Sequence, residues 1–268
     1  MNVRAFRLLI WNTVQKEVRS KSFFMAVGLT LGMLGLGYAV MQAFREQIQL
    51  EGGVEVVGSG QLIWVYYALV NAWSIFLGLM FGLGCVRSDV TSQVIGQLLA
   101  LPISRGSYLA ARVIGSWILV SFYQVLSFAL MGILFSESLK EISMTALLVA
   151  PLISFFPTLA AAVLGLFVSL WVGKTSGMIL TGVASLGGSW ARSHFSSVED
   201  PMANLTLLKV VGLILWIAIP RFAAPHSFVQ VLAGVPEATI AWADIAQFGL
   251  SGIALFAITS FIFRRRGF

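Results

Sequence analysis

Residues Met144 to Val172 read MTALLVAPLISFFPTLAAAVLGLFVSLWV, without a single Asp, Glu, Lys, Arg or His. A helix that crosses a bilayer needs about 20 consecutive, mostly apolar residues. This stretch meets that demand alone and predicts a membrane-spanning helix.

The rest of the 268-residue chain agrees. Hydrophobic residues make up 58%, charged residues 10%, and mean hydropathy is +0.91. A soluble domain carries about 25% charge, so a water-soluble globule is excluded. Disorder is excluded too, because 20 Phe and 8 Trp demand burial. One cysteine, Cys85, forbids an internal disulfide and a multi-cysteine metal site, and two histidines, His194 and His226, leave little for an imidazole site. The formal charge of +6 does not by itself point to nucleic acid, and no nucleic-acid partner is expected.

Working outward from Met144–Val172, further spans are predicted at Phe23–Phe44, Leu62–Cys85, Val113–Phe135, Ser176–Phe195 and Ala241–Phe263. The fold class is therefore all-α: one polytopic domain over 1–268 with six transmembrane helices. Leu205–Ile219 is interrupted by Lys209 and closed by Pro220, and it reads as a re-entrant or interfacial piece of the segment 193–239. Six spans put twelve basic residues against Glu17 and Asp89 on the terminal side, a net of +10. The other side nets −4. Basic residues concentrate in cytoplasmic segments, so both termini are expected on the cytoplasmic side of the plasma (inner) membrane. A cation anchor there is Arg264, Arg265 and Arg266. The first 22 residues hold five cations and no cleavable-signal pattern.

Two cytoplasmic elements stand out. Within 1–22, Val3, Phe6, Leu9, Ile10, Val14 and Val18 share one helical arc, while Arg4, Asn12, Gln15, Lys16 and Arg19 share the other. Arg7 and Glu17 fall on the apolar side. This pattern predicts an amphipathic helix in the lipid interface, with partner contact as a second role. In the loop 86–108, Asp89 is placed to cap a helix in which Val90, Val94, Ile95, Leu98, Leu99 and Leu101 lie on one side, with Gln97 opposite. Pro102 ends it. A plain helical surface loop is the alternative.

These residues carry a family resemblance. Asp89-Val90, then Leu98-Leu99-Ala100-Leu101-Pro102-Ile103-Ser104-Arg105, then Tyr108-Leu109, Arg112 and Gly115 resemble the cytoplasmic signature of type-2 ABC exporter permeases, the copper-enzyme-maturation type above all. Lys16-Glu17 with Arg19, Pro220-Arg221-Phe222, and the ending Phe263-Arg264-Arg265-Arg266-Gly267-Phe268 match as well. Departures are Val94 where Thr is usual, Gln93 where Gly is common, and Arg221 where Asn is frequent.

The resemblance implies a half-transporter that pairs with a second permease and docks separate ATP-binding subunits, which hold the ATP and magnesium. Asp89–Leu101 would be the coupling helix, its contacts drawn from Asp89, Val90, Val94, Gln97, Leu98, Leu99, Pro102, Ser104 and Arg105. Arg105 is either a contact to the ATPase or a headgroup anchor. The chain itself should bind no cofactor and carry no catalytic residue. Gly173-Lys174-Thr175 lacks the upstream glycine of a phosphate loop, since position 168 is valine.

Absences agree with that expectation. The cores of the second, third and fourth spans hold no ionisable relay of the kind ion-coupled carriers retain. Asn71, Ser74, Tyr123, Gln124, Ser154 and Thr158 either bond helix to helix or line a conduit. The pair Gly28 and Gly32 and the series Ser74, Gly78, Gly82 favour close helix approach, within the chain or across a dimer. Pro151 and Pro157 should kink or loosen the fourth span. The outer segment 193–239 is either a cap or a surface for an outer-face partner. A competing function is a non-transporting membrane component that transmits ATPase-driven force to outer-face machinery.

Overall fold

Hydrocarbon offers no water to bond peptide groups, so a single segment crossing it must satisfy its backbone internally. The computed structural model obeys this: every regular element among its described residues is an α-helix. Described are residues 3–50, 59–96, 103–134, 144–173, 175–183, 207–233, 235 and 238–265. In chain order they form α1 (Val3–Val18), α2 (Lys21–Leu50), α3 (Ser59–Thr91), α4 (Arg105–Leu134), α5 (Met144–Ser169), α6 (Leu207–Ala218), α7 (His226–Leu232) and α8 (Trp242–Arg265).

Five helices, α2 to α5 and α8, are long and apolar enough to cross a membrane, which makes this a multi-pass membrane protein. They coincide with five of the six expected spans. The remaining one, Ser176–Phe195, is helical over 175–183, and 184–195 lie outside the described residues. The 12 described residues of α6 extend over about 18 Å by helical rise.

At the centre stand α3 and α5, with 61% and 67% of their spanning windows buried, against 17% for α2 and α8. Small residues make this approach possible. A Cβ on Gly78 would stand 2.8 Å from the Thr158 carbonyl oxygen, and one on Gly82 would overlap the Ala162 main chain. Gly165 answers from α5 against Leu79 and Leu83. The series Ser74, Gly78, Gly82 thus packs within the chain. Gly28 and Gly32 have nothing within 4 Å and lie on an open face.

The expected kink of α5 is not a break: the helix runs through Pro151 and Pro157. Side-chain donors serve the carbonyls there, with Gln124 Nε2 donating to Ser154 O at 3.2 Å and Trp117 Nε1 to Phe155 O at 3.0 Å.

The bundle has two ends. Arg105 at the start of α4 meets the end of α8, and Asp89 at the end of α3 meets α1 and α4. At the opposite end, α7 meets the start of α3 and the turn after α6 meets the start of α8. Gly177 abuts Leu83 at the α1 end, whereas Trp242 starts α8 at the α7 end.

Candidate functional site

The α1 end gathers the residues that the sequence singled out, in an arrangement the sequence did not foretell. Asp89 is no N-cap. Helix α3 continues through it to Thr91, so a separate helix cannot start there. The ending is a Schellman motif. Gln93 N–H donates to Val90 O and Val94 N–H to Asp89 O, both at 3.2 Å, and Gln93 takes the left-handed φ of 57°. Gln93 therefore occupies the position at which glycine is favoured sterically. Helical backbone resumes at 95–96, and Gln97, Leu98, Leu99 and Pro102 lie outside the described residues.

An acidic side chain in the last turn of a helix opposes the helix dipole, so Asp89 needs compensation. It receives three donors. Lys16 Nζ of α1 lies 2.7 Å from Oδ1, Arg112 of α4 pairs with Oδ2, and the Tyr108 hydroxyl donates to Oδ2 at 2.5 Å. Asp89 and Arg112 expose only 3% and 2% of their side chains, whereas Lys16 exposes 37%. The second Arg112 nitrogen donates to Thr13 Oγ1 at 2.9 Å, and Lys16 also donates to Ser88 Oγ at 2.7 Å. Arg112 further sits 5.4 Å from the Tyr108 ring centre.

One carboxylate thus ties three helices together. Glu17 borders the same cluster, its Oε1 4.0 Å from where a Cβ on Gly84 would stand. Lys16, Glu17, Asp89 and Arg112 sum to zero charge, which is what permits such groups below the surface.

Glycine makes the docking possible here too. A Cβ on Gly115 would come within 2.6 Å of Thr13 Cβ, so α1 lies directly against the α4 backbone. This revises the interfacial picture of α1. Its buried positions are Leu9 and Thr13, with Phe6, Ile10, Lys16 and Glu17 partly covered. Lys16 therefore belongs to the docked face. Arg4, Arg7 and Arg19 remain exposed beside Val3, Leu8 and Trp11, a mixed cationic and apolar surface suited to a lipid interface.

Arg105 takes a role neither alternative described. Its guanidinium donates to Arg264 O at 2.9 Å and Phe263 O at 3.4 Å, capping the last turn of α8. Tyr108 stacks on buried Phe263 at 5.9 Å. Ser104 caps α4, its Oγ accepting the Ser107 N–H at 3.2 Å. Val90 is partly buried against the central core and Val94 is 38% exposed. Arg264 and Arg265 stand exposed at the end of α8, and Arg266 lies outside the described residues.

Within the bundle, Gln124 Nε2 donates to Asn71 Oδ1 at 3.3 Å as well as to Ser154 O, so these polar residues bond helix to helix. Tyr123 donates to Phe23 O at 3.1 Å. Ser74 and Thr158 bond within their own helices.

Thr13, Ser88, Tyr108 and Arg112 were not expected as site residues. Thr13 was visible as a hydroxyl on an apolar arc, and Arg112 as a cation immediately before a predicted span. Comparison with protein-family models, with curated proteins and with solved structures found no match.

Proposed function

We propose that the chain is the membrane-spanning permease subunit of an ATP-binding-cassette exporter, with six crossings and both termini in the cytoplasm. It pairs with a second permease and two separate ATPase subunits. The observation that carries this reading is the charge-balanced tie at Asp89. It joins α1, the end of α3 and the start of α4 at the face that bears most of the positive charge. A push on the loop after Thr91 reaches three helices through one rigid node, and rigid-body rocking is how such a bundle would change access. The apolar run Ser176–Phe195 supports a sixth crossing between α5 and α8. The signature residues Asp89, Tyr108, Arg112 and Gly115 all meet at this node, which supports the resemblance.

The test is purification of the tagged full chain from its native membranes, then reconstitution of what comes with it. An ATP-binding-cassette ATPase should co-purify and hydrolyse ATP in vesicles. The double substitution Leu98→Asp with Leu99→Asp should abolish that association while membrane insertion persists. A double mutant that retains the ATPase at wild-type yield overturns the coupling assignment. Vesicle transport driven by a proton or sodium gradient without ATP overturns the exporter.

A further inference from the structure

Helices α4, α5 and α8 frame a groove of about 450 Å³. Ligand pockets range over about 300–1,000 Å³, so it is of binding-site size. No polar side chain lines it. Its walls include Ala110 and Ile114 of α4, Ala160 of α5, and Phe248, Gly252 and Phe256 of α8. Two glycines of α8 hold it open. A Cβ on Gly249 or Gly252 would meet nothing within 4 Å, although glycine is among the poorest helix formers. Their missing side chains leave space that no neighbour fills.

A cation stands at the end of this groove nearer α1. Arg105 donates to Arg264 O and so fixes where α8 ends. The Arg264 guanidinium then reaches across to α4, its Nη2 3.3 Å from where a Cβ on Gly106 would stand. Gly106, Ala110 and Ile114 recur every four residues, so they share one face of α4 and lead from the guanidinium into the groove. Arg264 and its neighbour Arg265 are exposed, and neither pairs with a carboxylate among the described residues.

The depth fits one leaflet. By helical rise, Phe256 lies about 12 Å and Phe248 about 24 Å from Arg264. Half of a bilayer, headgroups included, measures about 20–22 Å. The groove therefore matches a lipid of the leaflet at the α1 end, and it is too short to seat a crossing helix of a second copy.

We propose that this groove and Arg264 form a binding site for one phospholipid with an anionic head. The phosphate accepts from the exposed Arg264 guanidinium, and an acyl chain runs past Gly106 and Ala110 to Gly252 and Phe248. Guanidinium and phosphate make charge-assisted hydrogen bonds. Net charge selects the head. A zwitterionic head brings a cation of its own to Arg264 and Arg265, whereas an anionic head brings none. The site stands independently of the export reading and needs no ATPase.

The test uses the full chain reconstituted in vesicles of equal phosphatidylcholine and phosphatidylglycerol, extracted in mild detergent and weighed by native mass spectrometry. One phosphatidylglycerol per chain should stay bound, at least fivefold over phosphatidylcholine. Gly249→Leu with Gly252→Leu, which fills the groove, should reduce retention at least tenfold with helicity unchanged. If that double variant fails to fold, Gly252→Leu alone serves. Arg264→Gln should bring retention of the two lipids to within twofold of each other. No retained lipid, retention that does not favour phosphatidylglycerol, wild-type retention by the filled variant, or wild-type selectivity in Arg264→Gln would overturn the proposal. So would a copper-catalysed disulfide between two Gly252→Cys chains in these vesicles, absent from wild type, because it places a second copy over the groove.

Discussion

Asp89, on the last turn of α3, and Arg112, two turns into α4, form an ion pair that exposes 3% and 2% of the two side chains. Removing one partner of such a pair leaves the other charge uncompensated, at a cost of about 3–5 kcal/mol. Asp89→Ala should therefore destabilise the detergent-solubilised protein by that amount, read from its unfolding midpoint. Lys16, at 37% exposure, reaches water when freed, so Lys16→Ala should cost about 1 kcal/mol or less. Equal costs for the two substitutions would contradict a node centred on Asp89 and Arg112.

Gly115 sets how closely α1 approaches α4. Gly115→Leu should lever α1 away, because the new side chain meets Thr13 and the Ile10 carbonyl. Hydrogen exchange across 9–16 should quicken at least tenfold, while 78–82 at the α3–α5 contact keeps its protection. Unchanged exchange in α1 would mean that Gly115 does not hold the docked position.

Gln93 is strained where glycine would not be. A left-handed non-glycine residue costs about 1–2 kcal/mol, and Gln93 has φ of 57°. Gln93→Gly should raise stability by about 1 kcal/mol, and the β-branched Gln93→Val should lower it by a similar amount. A Gln93→Gly variant melting below wild type would argue against the Schellman ending of α3.

His226 gives the protein a directional pH response. Its folded pKa, lowered to about 4 by burial, lies below the ordinary 6.5. Between those values the unfolded chain binds a proton that the folded chain refuses, so stability falls as pH drops through this window. Above about pH 6.5 the contribution is complete. The melting temperature should decline from pH 6.5 towards 4, and His226→Gln should flatten that decline. A parallel pH profile in the variant would assign the effect elsewhere.

The sequence alone determined that the chain is helical and crosses a membrane several times, because length and hydropathy are local properties. It also marked Asp89, Arg112 and Gly115. It mistook Asp89 for the start of a helix, since an acidic residue before an apolar run looks like a cap. What it lacked was the 73-residue reach from Lys16 to Asp89. Arg105 was equally opaque, because its partners are backbone carbonyls of α8, which no side-chain pattern displays.

Only the tertiary structure decided which small residues serve inside the chain. Gly78 and Gly82 press on α5, while Gly28 and Gly32 meet nothing, although the two series look alike as letters. It also decided that a cavity forms beside Tyr67, from residues of α3 and others some 150 positions further on. The physical reason is one of range. Partition into a membrane is set by each segment's own composition, whereas ion pairing, close packing and enclosed space depend on which distant segments become neighbours.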